Sequence, residues 1–258
     1  MNRLPVNIEV ADFPEVFHPL LRNCQVYDSS CFSGARVYYL DRDDGLYLKV
    51  AEKGSLGCEA VMTRYFHKKG LCPQVLSYES LEKDWMLTRK ISGEDCTHQM
   101  YLDEPKRLSA LLGELLRQLH EAGTNGCPKP DLMDEYVENA RLARDKGQYD
   151  LGWYSPTASL EEVWRIVEET APILHRNTLI HGDYCLPNVM LDNWNFSGFL
   201  DVGAGGLGDR HFDLFWGCWS LEYNLHSKCF RDRFLDAYGR DLVDEELLSR
   251  IPAFVAFG

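Results

Sequence analysis

The sequence predicts an α+β protein in two parts, an antiparallel sheet followed by a mainly helical lobe. Three observations lead there. Short alternating strands joined by turn residues fill the first part, the step Ile91-Ser92-Gly93 interrupts them, and leucines at helical spacing take over beyond Asp103. A chain of 258 residues, 45% of them hydrophobic, can fill the cores of both parts.

The first part opens with a hairpin pattern between residues 24 and 50. Ala35 to Leu40 is rich in Val and Tyr, Asp43-Asp44-Gly45 supplies turn chemistry, and Leu46 to Val50 follows as a strand. Side chains alternate along a strand, so Leu46, Leu48 and Val50 share one face and leave Tyr47 and Lys49 on the other. An aromatic ring beside an ammonium can serve the base and the phosphates of one nucleotide, although a solvated strand face would look the same. Glu59, ten residues after Lys49, opens a helix whose apolar positions are Val61, Met62, Tyr65 and Phe66. The loop Ser29-Ser30-Cys31-Phe32-Ser33-Gly34 is no Walker sequence, but its N–H groups and small hydroxyls suit phosphate oxygens. Ser33 is the candidate there, with a solvated turn serine as the competing reading. Trp85 to Arg89 is a further strand, ending at the Ile91 step.

The second part begins with a helix from Asp103, a plausible N-cap, to Gly123, a plausible stop. Leu108, Leu111, Leu112, Leu115, Leu116 and Leu119 form its core stripe, and His120 at the end is expected to cap the C-terminus. A helical patch from Leu132 to Lys146 carries Asp131, Asp134, Glu135 and Glu138 on or beside it. These acids are expected on a solvated face, with a cation-binding cleft as the alternative. A helix from Ser159 to Leu174 then leads to Leu179-Ile180.

The chemistry-bearing stretch is His181 to Asp201, HGDYCLPNVMLDNWNFSGFLD. Asp183 is followed five positions later by Asn188, and a strand-turn-strand passage ends in Asp201-Val202-Gly203. Phosphoryl transfer has a loose transition state, so catalysis consists of positioning the nucleophile and neutralising phosphate charge with Mg²⁺. Asp183 can receive or orient an attacking hydroxyl. Asn188 and Asp201 supply the oxygen atoms that this hard cation prefers. The Asp-to-Asn spacing equals that of the protein kinase catalytic loop, and Asp-Val-Gly stands for Asp-Phe-Gly.

The string His-Gly-Asp-Tyr-Cys-Leu-Pro-Asn at 181–188, then Asp201, Gly208-Asp209-Arg210 and Asp213-Leu214, resembles the aminoglycoside phosphotransferases, most closely their 3'-phosphotransferase branch. The resemblance implies a two-lobed protein-kinase-like fold, with residues 1–91 as the N-terminal nucleotide-binding lobe and 92–258 as the C-terminal catalytic and substrate-binding lobe. It implies ATP, with GTP possible, and Mg²⁺. By the same resemblance Lys49 pairs with Glu59 to hold nucleotide phosphates, with Glu52 as a competitor for that role. Ile91 meets the base edge at the hinge, Tyr47 and Ser33 complete the nucleotide contacts, Asp183 is catalytic, and Asn188 and Asp201 hold the metal. Related enzymes carry an arginine where Ala204 stands, a local departure.

Gly203 to Gly208 satisfies G-x-G-x-x-G, but the Trp- and Phe-rich stretch beyond Asp213 reads as a buried helix, so the glycines belong to a loop rather than a dinucleotide fingerprint. Asp213 is expected to accept hydrogen bonds from the catalytic-loop backbone. In the resembled enzymes the following helix carries an arginine and acids that meet aminocyclitol rings, whereas here Trp219, Ser220 and Tyr223 take those places. Trp216, Trp219 and Tyr223 are expected in the core, with a cation-π cage as the alternative. Glu222, Asp241, Asp244, Glu245 and Glu246 remain as acids that a cationic substrate could meet.

The formal charge of −13 argues against nucleic acid, whose phosphates demand a basic face, and suits a small cationic acceptor. No run of apolar residues has the length of a signal peptide core or a membrane span. Nine cysteines without a Cys-x-x-Cys pair fit reduced thiols, so a cytoplasmic protein is expected, and Cys185 is read as a packed loop residue. The reading is therefore a kinase that transfers the ATP γ-phosphate to a hydroxyl of a small cationic molecule, first of all an aminoglycoside antibiotic, as resistance enzymes do. A choline or amino-sugar kinase and a non-catalytic nucleotide-binding module are the alternatives. The sequence leaves the oligomeric state open.

Overall fold

The computed structural model describes residues 3–30 and 34–258. In chain order these form β1 (Leu4–Pro5), α1 (His18–Leu21), β2 (Gln25–Asp28), β3 (Ala35–Asp41), β4 (Leu46–Glu52), α2 (Gly57–His67), β5 (Val75–Ser80), β6 (Lys83–Arg89), β7 (Glu94–Asp95), α3 (Gln99–Leu102), α4 (Pro105–His120), α5 (Leu132–Asp145) and α6 (Leu160–Thr170). There follow β8 (Thr178–Ile180), β9 (Val189–Asp192), β10 (Asn195–Phe199), β11 (Gly206–Gly208), α7 (His211–Leu225), α8 (Arg231–Tyr238), α9 (Glu245–Arg250) and α10 (Pro252–Val255). Two compact units result: Met1–His98 with Val189–Gly203, and Gln99–Asn188 with Ala204–Gly258.

The first unit is built on an antiparallel sheet of order β1-β2-β3-β4-β6-β5. The β3–β4 turn uses left-handed backbone at Asp43 and Gly45, residue types that tolerate it. On β4 the alternation gives Leu46, Leu48 and Val50 to a core shared with Phe17, Leu21, Trp85 and Leu87. Full burial of each such aliphatic side chain is worth roughly 1.5–3 kcal/mol. Helix α2 buries Ala60, Met62, Thr63 and Phe66, while Val61 is 46% exposed and departs from the expected stripe. The buried Asp84 carboxylate accepts from Gly54 N and Leu56 N, both at 2.9 Å, from Tyr78 Oη at 3.0 Å and from Ser80 Oγ at 2.7 Å. That clamp sets the turn from which α2, and with it Glu59, departs.

This division does not coincide with a boundary at residue 91. Strand β7 pairs with β9, and Cys96 N donates to Val189 O, so residues 92–98 and the β9–β10 hairpin go together with the sheet. Gly93 permits the approach: its φ is +91°, and a Cβ there would overlap the Leu191 carbonyl.

The second unit is mainly helical. On α4 the leucines 108, 112, 115, 116 and 119 are buried. The helix starts at Pro105 after Glu104, which makes no side-chain cap, and Asp103 instead accepts from Gln99 Nε2 at 2.7 Å, so Asp103 is not the N-cap. Ser159 does cap α6, its hydroxyl accepting from Glu162 N. Strands β8 and β11 pair antiparallel, Gly206 opposite Ile180, so the glycine run opens no βαβ unit. The last residues fold into the core: Ile251, Phe254 and Phe257 are buried with Val163, Val167 and Phe212. Among the described residues no helix is long and apolar enough to cross a membrane.

Candidate active site

In the second unit, residues 181–188 form a loop held from beneath by one carboxylate. Asp213, at the first turn of α7, accepts from His181 N at 2.7 Å and Gly182 N at 2.8 Å. Gly182 has φ +84°, and a Cβ would collide with the Ala204 carbonyl, so the loop requires glycine here. Tyr184 is buried and donates to Leu112 O at 2.8 Å, and Leu186 N donates to Ser220 Oγ at 2.9 Å. These anchors leave Asp183 half-buried, with Asn188 Nδ2 donating to its Oδ2 at 2.8 Å and to its carbonyl at 2.9 Å. The amide nitrogen is thus committed, and Asn188 Oδ1 is the atom suited to a cation. Burial pushes the Cys185 thiol far above its ordinary range, which fits a packed loop residue and not a nucleophile.

His120 lies in this support and not at a solvent-facing helix end. Its side chain is 2% exposed, and its Nε2 is 3.1 Å from Asp213 Oδ2. A carboxylate only accepts, so Nε2–H donates, and Nδ1 of the neutral ring accepts from Tyr238 Oη at 2.8 Å. Burial lowers its pKa against the opposing pull of Asp213. The expected cap is therefore replaced by a buried link. Its position four residues after Leu116, on the leucine stripe, is the signal that pointed inward.

In the first unit, Lys49, Glu59 and Asp201 come together. Lys49 Nζ donates to both Glu59 oxygens at 2.8 Å and to Asp201 Oδ1 at 2.7 Å. Burial alone would lower the lysine pKa, but the two carboxylates outweigh it and hold the ammonium above its ordinary value. Burial raises Glu59 against the attraction of Lys49. Glu52 sits exposed at the end of β4, away from this group. Asp201 is 54% exposed on its side chain and has φ +55°, a left-handed conformation uncommon outside glycine and frequent at functional sites. One ammonium among two carboxylates leaves a net negative cluster, with exposed carboxylate oxygen that fits a hard divalent cation.

Beside this cluster lies a cavity of about 400 Å³ lined by Tyr47, Lys49, Met86, Ile91, Phe199 and Asp201, among others. Apolar walls ending in an ammonium and carboxylates match a base at one end and phosphates at the other. Sequence reasoning missed Arg3: its guanidinium lies 3.8 Å from the Tyr39 ring centroid and donates to Tyr47 Oη at 2.8 Å on the cavity rim. Ser33 lies outside the described residues.

A family model described as the phosphotransferase enzyme family, APH, matches residues 32–249. The chain belongs to this family. It is a phosphotransferase, which sets aside a purely binding module. A probable aminoglycoside 3'-phosphotransferase of Lactococcus lactis subsp. lactis (strain IL1403) is 41% identical, the match covering 100% of this chain and 99% of that protein. The crystal structure of an aminoglycoside-3'-phosphotransferase of type VIII superposes with a TM-score of 0.75 at 26% identity over 96% of both chains. An aminoglycoside phosphotransferase from Streptomyces rimosus ATCC10970, solved with ADP and streptomycin, has the same fold, with a TM-score of 0.66 at 19% identity over 93% of this chain and 97% of that one. The two-lobed kinase-like α+β fold expected from the sequence is the fold of this family.

Proposed function

We propose that this phosphotransferase moves the γ-phosphate of ATP to a hydroxyl of an aminoglycoside, with Mg²⁺ held by Asn188 and Asp201. The observation that carries the reading is that each unit holds one half of a phosphotransfer site: in the second, Asp183 fixed by Asn188 on an anchored loop, and in the first, the Lys49–Glu59–Asp201 cluster beside a nucleotide-sized cavity. Support for the acceptor class comes from the Lactococcus relative, whose name is that of an aminoglycoside 3'-phosphotransferase.

Each residue then has a defined task. Tyr47 and Ile91 line the base end of the cavity. Lys49, oriented by Glu59, would meet the phosphate oxygens of a bound nucleotide, and Asp201, with Asn188, would hold the metal. Mg²⁺, when bound, neutralises charge that develops on the transferred group. Asp183 accepts the proton of the attacking hydroxyl or orients it, and the Asn188 amide holds that carboxylate in one rotamer.

The test is nucleotide turnover coupled to a panel of aminoglycosides, choline and amino sugars. Saturable turnover of a 4,6- or 4,5-disubstituted aminoglycoside supports the reading. Turnover of choline or a simple amino sugar alone would replace the acceptor and leave the phosphotransferase standing.

A further inference from the structure

Of the acids that the sequence offers to a cationic substrate, all but Asp131 and Asp241 have partners in the second unit. On and near α5, Asp134 pairs with Arg176 at 2.9 Å, Glu135 with Lys129 at 3.0 Å and Glu138 with Arg141 at 2.7 Å. Toward the C-terminus, Glu245 pairs with Arg231 and Arg240, Glu246 with Arg250, and Asp244 caps α9 through Glu246 N and Leu247 N. Glu222 meets Lys228 at 3.5 Å. A polycation arriving here would have to compete with an ion pair or, at Asp244, with a helix cap.

Aromatic rings are available instead. Trp216, Trp219 and Tyr223 sit at i, i+3 and i+7 on α7 and therefore share one face. Trp219 stacks on Tyr223, with centroids 5.1 Å apart and planes at 16°, and Tyr223 is 64% exposed. Trp153 closes the group from another segment, 5.5 Å from Trp216 and 5.4 Å from Trp219, while Trp216 stands 5.6 Å from Trp219. All three indoles are half-buried; Trp153 and Trp216 pack against the core of the second unit, and Trp219 with the exposed Tyr223 carries the array outward from it. Its place on the helix links it to the chemistry: Ser220, adjacent to Trp219 and one turn from Trp216, accepts from Leu186 N in the loop that carries Asp183 and Asn188.

We propose that the stacked Trp219–Tyr223 pair, backed by Trp153 and Trp216, is an aromatic shelf that binds one aminated ring of the acceptor. The C–H face and ammonium groups of such a ring are both attracted to the electron-rich faces of indole and phenol. This rests on the acceptor class proposed above and adds the residues that select it. The shelf tolerates acceptors differing in number of amino groups, because a ring face recognises shape and one cation at a time where paired carboxylates would count charges.

Steady-state kinetics on Tyr223→Ala and Trp219→Phe, with kanamycin as acceptor, test the shelf. Loss of one well-placed ring contact corresponds to about tenfold in affinity, so Tyr223→Ala should raise the acceptor KM about tenfold. The KM for ATP should not move, and Tyr223→Phe, which keeps the ring, should restore the acceptor KM. Trp219→Phe, which keeps a ring over Tyr223, should leave the acceptor KM near wild type, and Trp219→Ala should match Tyr223→Ala wherever its thermal unfolding stays cooperative. An acceptor KM for Tyr223→Ala within about twofold of wild type would overturn the shelf. If the wild type uses choline or glucosamine but no aminoglycoside, the proposed acceptor class fails and the same comparison with the acceptor that is used decides the shelf. If it uses none of them, both fall.

Discussion

Asp201 holds two positions at once, as the exposed partner of Lys49 and as a left-handed residue two positions before Gly203, the glycine that packs on Glu59. A non-glycine residue kept in that conformation stores strain that the surroundings must offset, which suits a carboxylate aimed at a ligand. Replacing it with alanine removes one of the two oxygen donors assigned to Mg²⁺, and a single amide cannot hold that ion against water. Asp201→Ala should therefore abolish turnover, with no recovery as magnesium is titrated upward; wild-type turnover at ordinary magnesium would remove Asp201 from the site. Asp183→Asn is a different change. It keeps shape and leaves the nucleotide cavity untouched, so the KM for ATP should stay near wild type while kcat falls by a factor on the order of 10² or more. An equal loss of nucleotide affinity would make Asp183 a metal ligand.

The loop carrying Asp183 stands on a chain of hydrogen bonds running from α8 through α4 to α7. Arg210 donates to Tyr238 Oη, Tyr238 to His120, and His120 to Asp213, which takes the backbone N–H groups of His181 and Gly182. Because burial holds the folded pKa of His120 below its unfolded value, the unfolded chain binds more protons in the interval beneath about 6.5. The stabilisation is complete above that pH and is lost as pH falls through the interval. Thermal unfolding followed by circular dichroism should show Tm declining below about pH 6.5 in the wild type, with a shallower decline in His120→Gln, which keeps a donor and cannot titrate. Identical pH profiles would exclude His120 as the source. The same chain explains what was legible in the sequence. Strands β3 and β4 and the string from His181 to Asp201 could be read because their residues are neighbours with fixed periods or spacings. The partners of His120 lie 93 and 118 residues away, and Trp153 reaches its cluster from a separate segment, so spacing carried no trace of either. Asp84 escaped for a related reason: a buried carboxylate with four donors looks, in sequence, like a polar residue at a strand start.

Across the whole molecule the formal charge of −13 produces a field that treats the two substrates oppositely. A multiply protonated aminoglycoside is drawn in, whereas magnesium-bound ATP, itself an anion, is repelled. The screening length shrinks from about 30 Å at 0.01 M salt to about 8 Å at physiological ionic strength, so long-range terms fade while contacts within the site persist. Over that range the acceptor KM should rise severalfold, and the KM for magnesium-bound ATP should fall or stay level. Raising the salt with an inert monovalent chloride, at fixed free magnesium, separates this from metal competition. The aromatic shelf adds a second condition, since contacts with ring faces act at short range: the ratio of acceptor KM in Tyr223→Ala to that in wild type should be the same at low and high salt. A ratio that collapses toward unity as salt rises would mean that Tyr223 acts by shaping the field, and an acceptor KM indifferent to salt in the wild type would mean that the net charge has no part in capturing it.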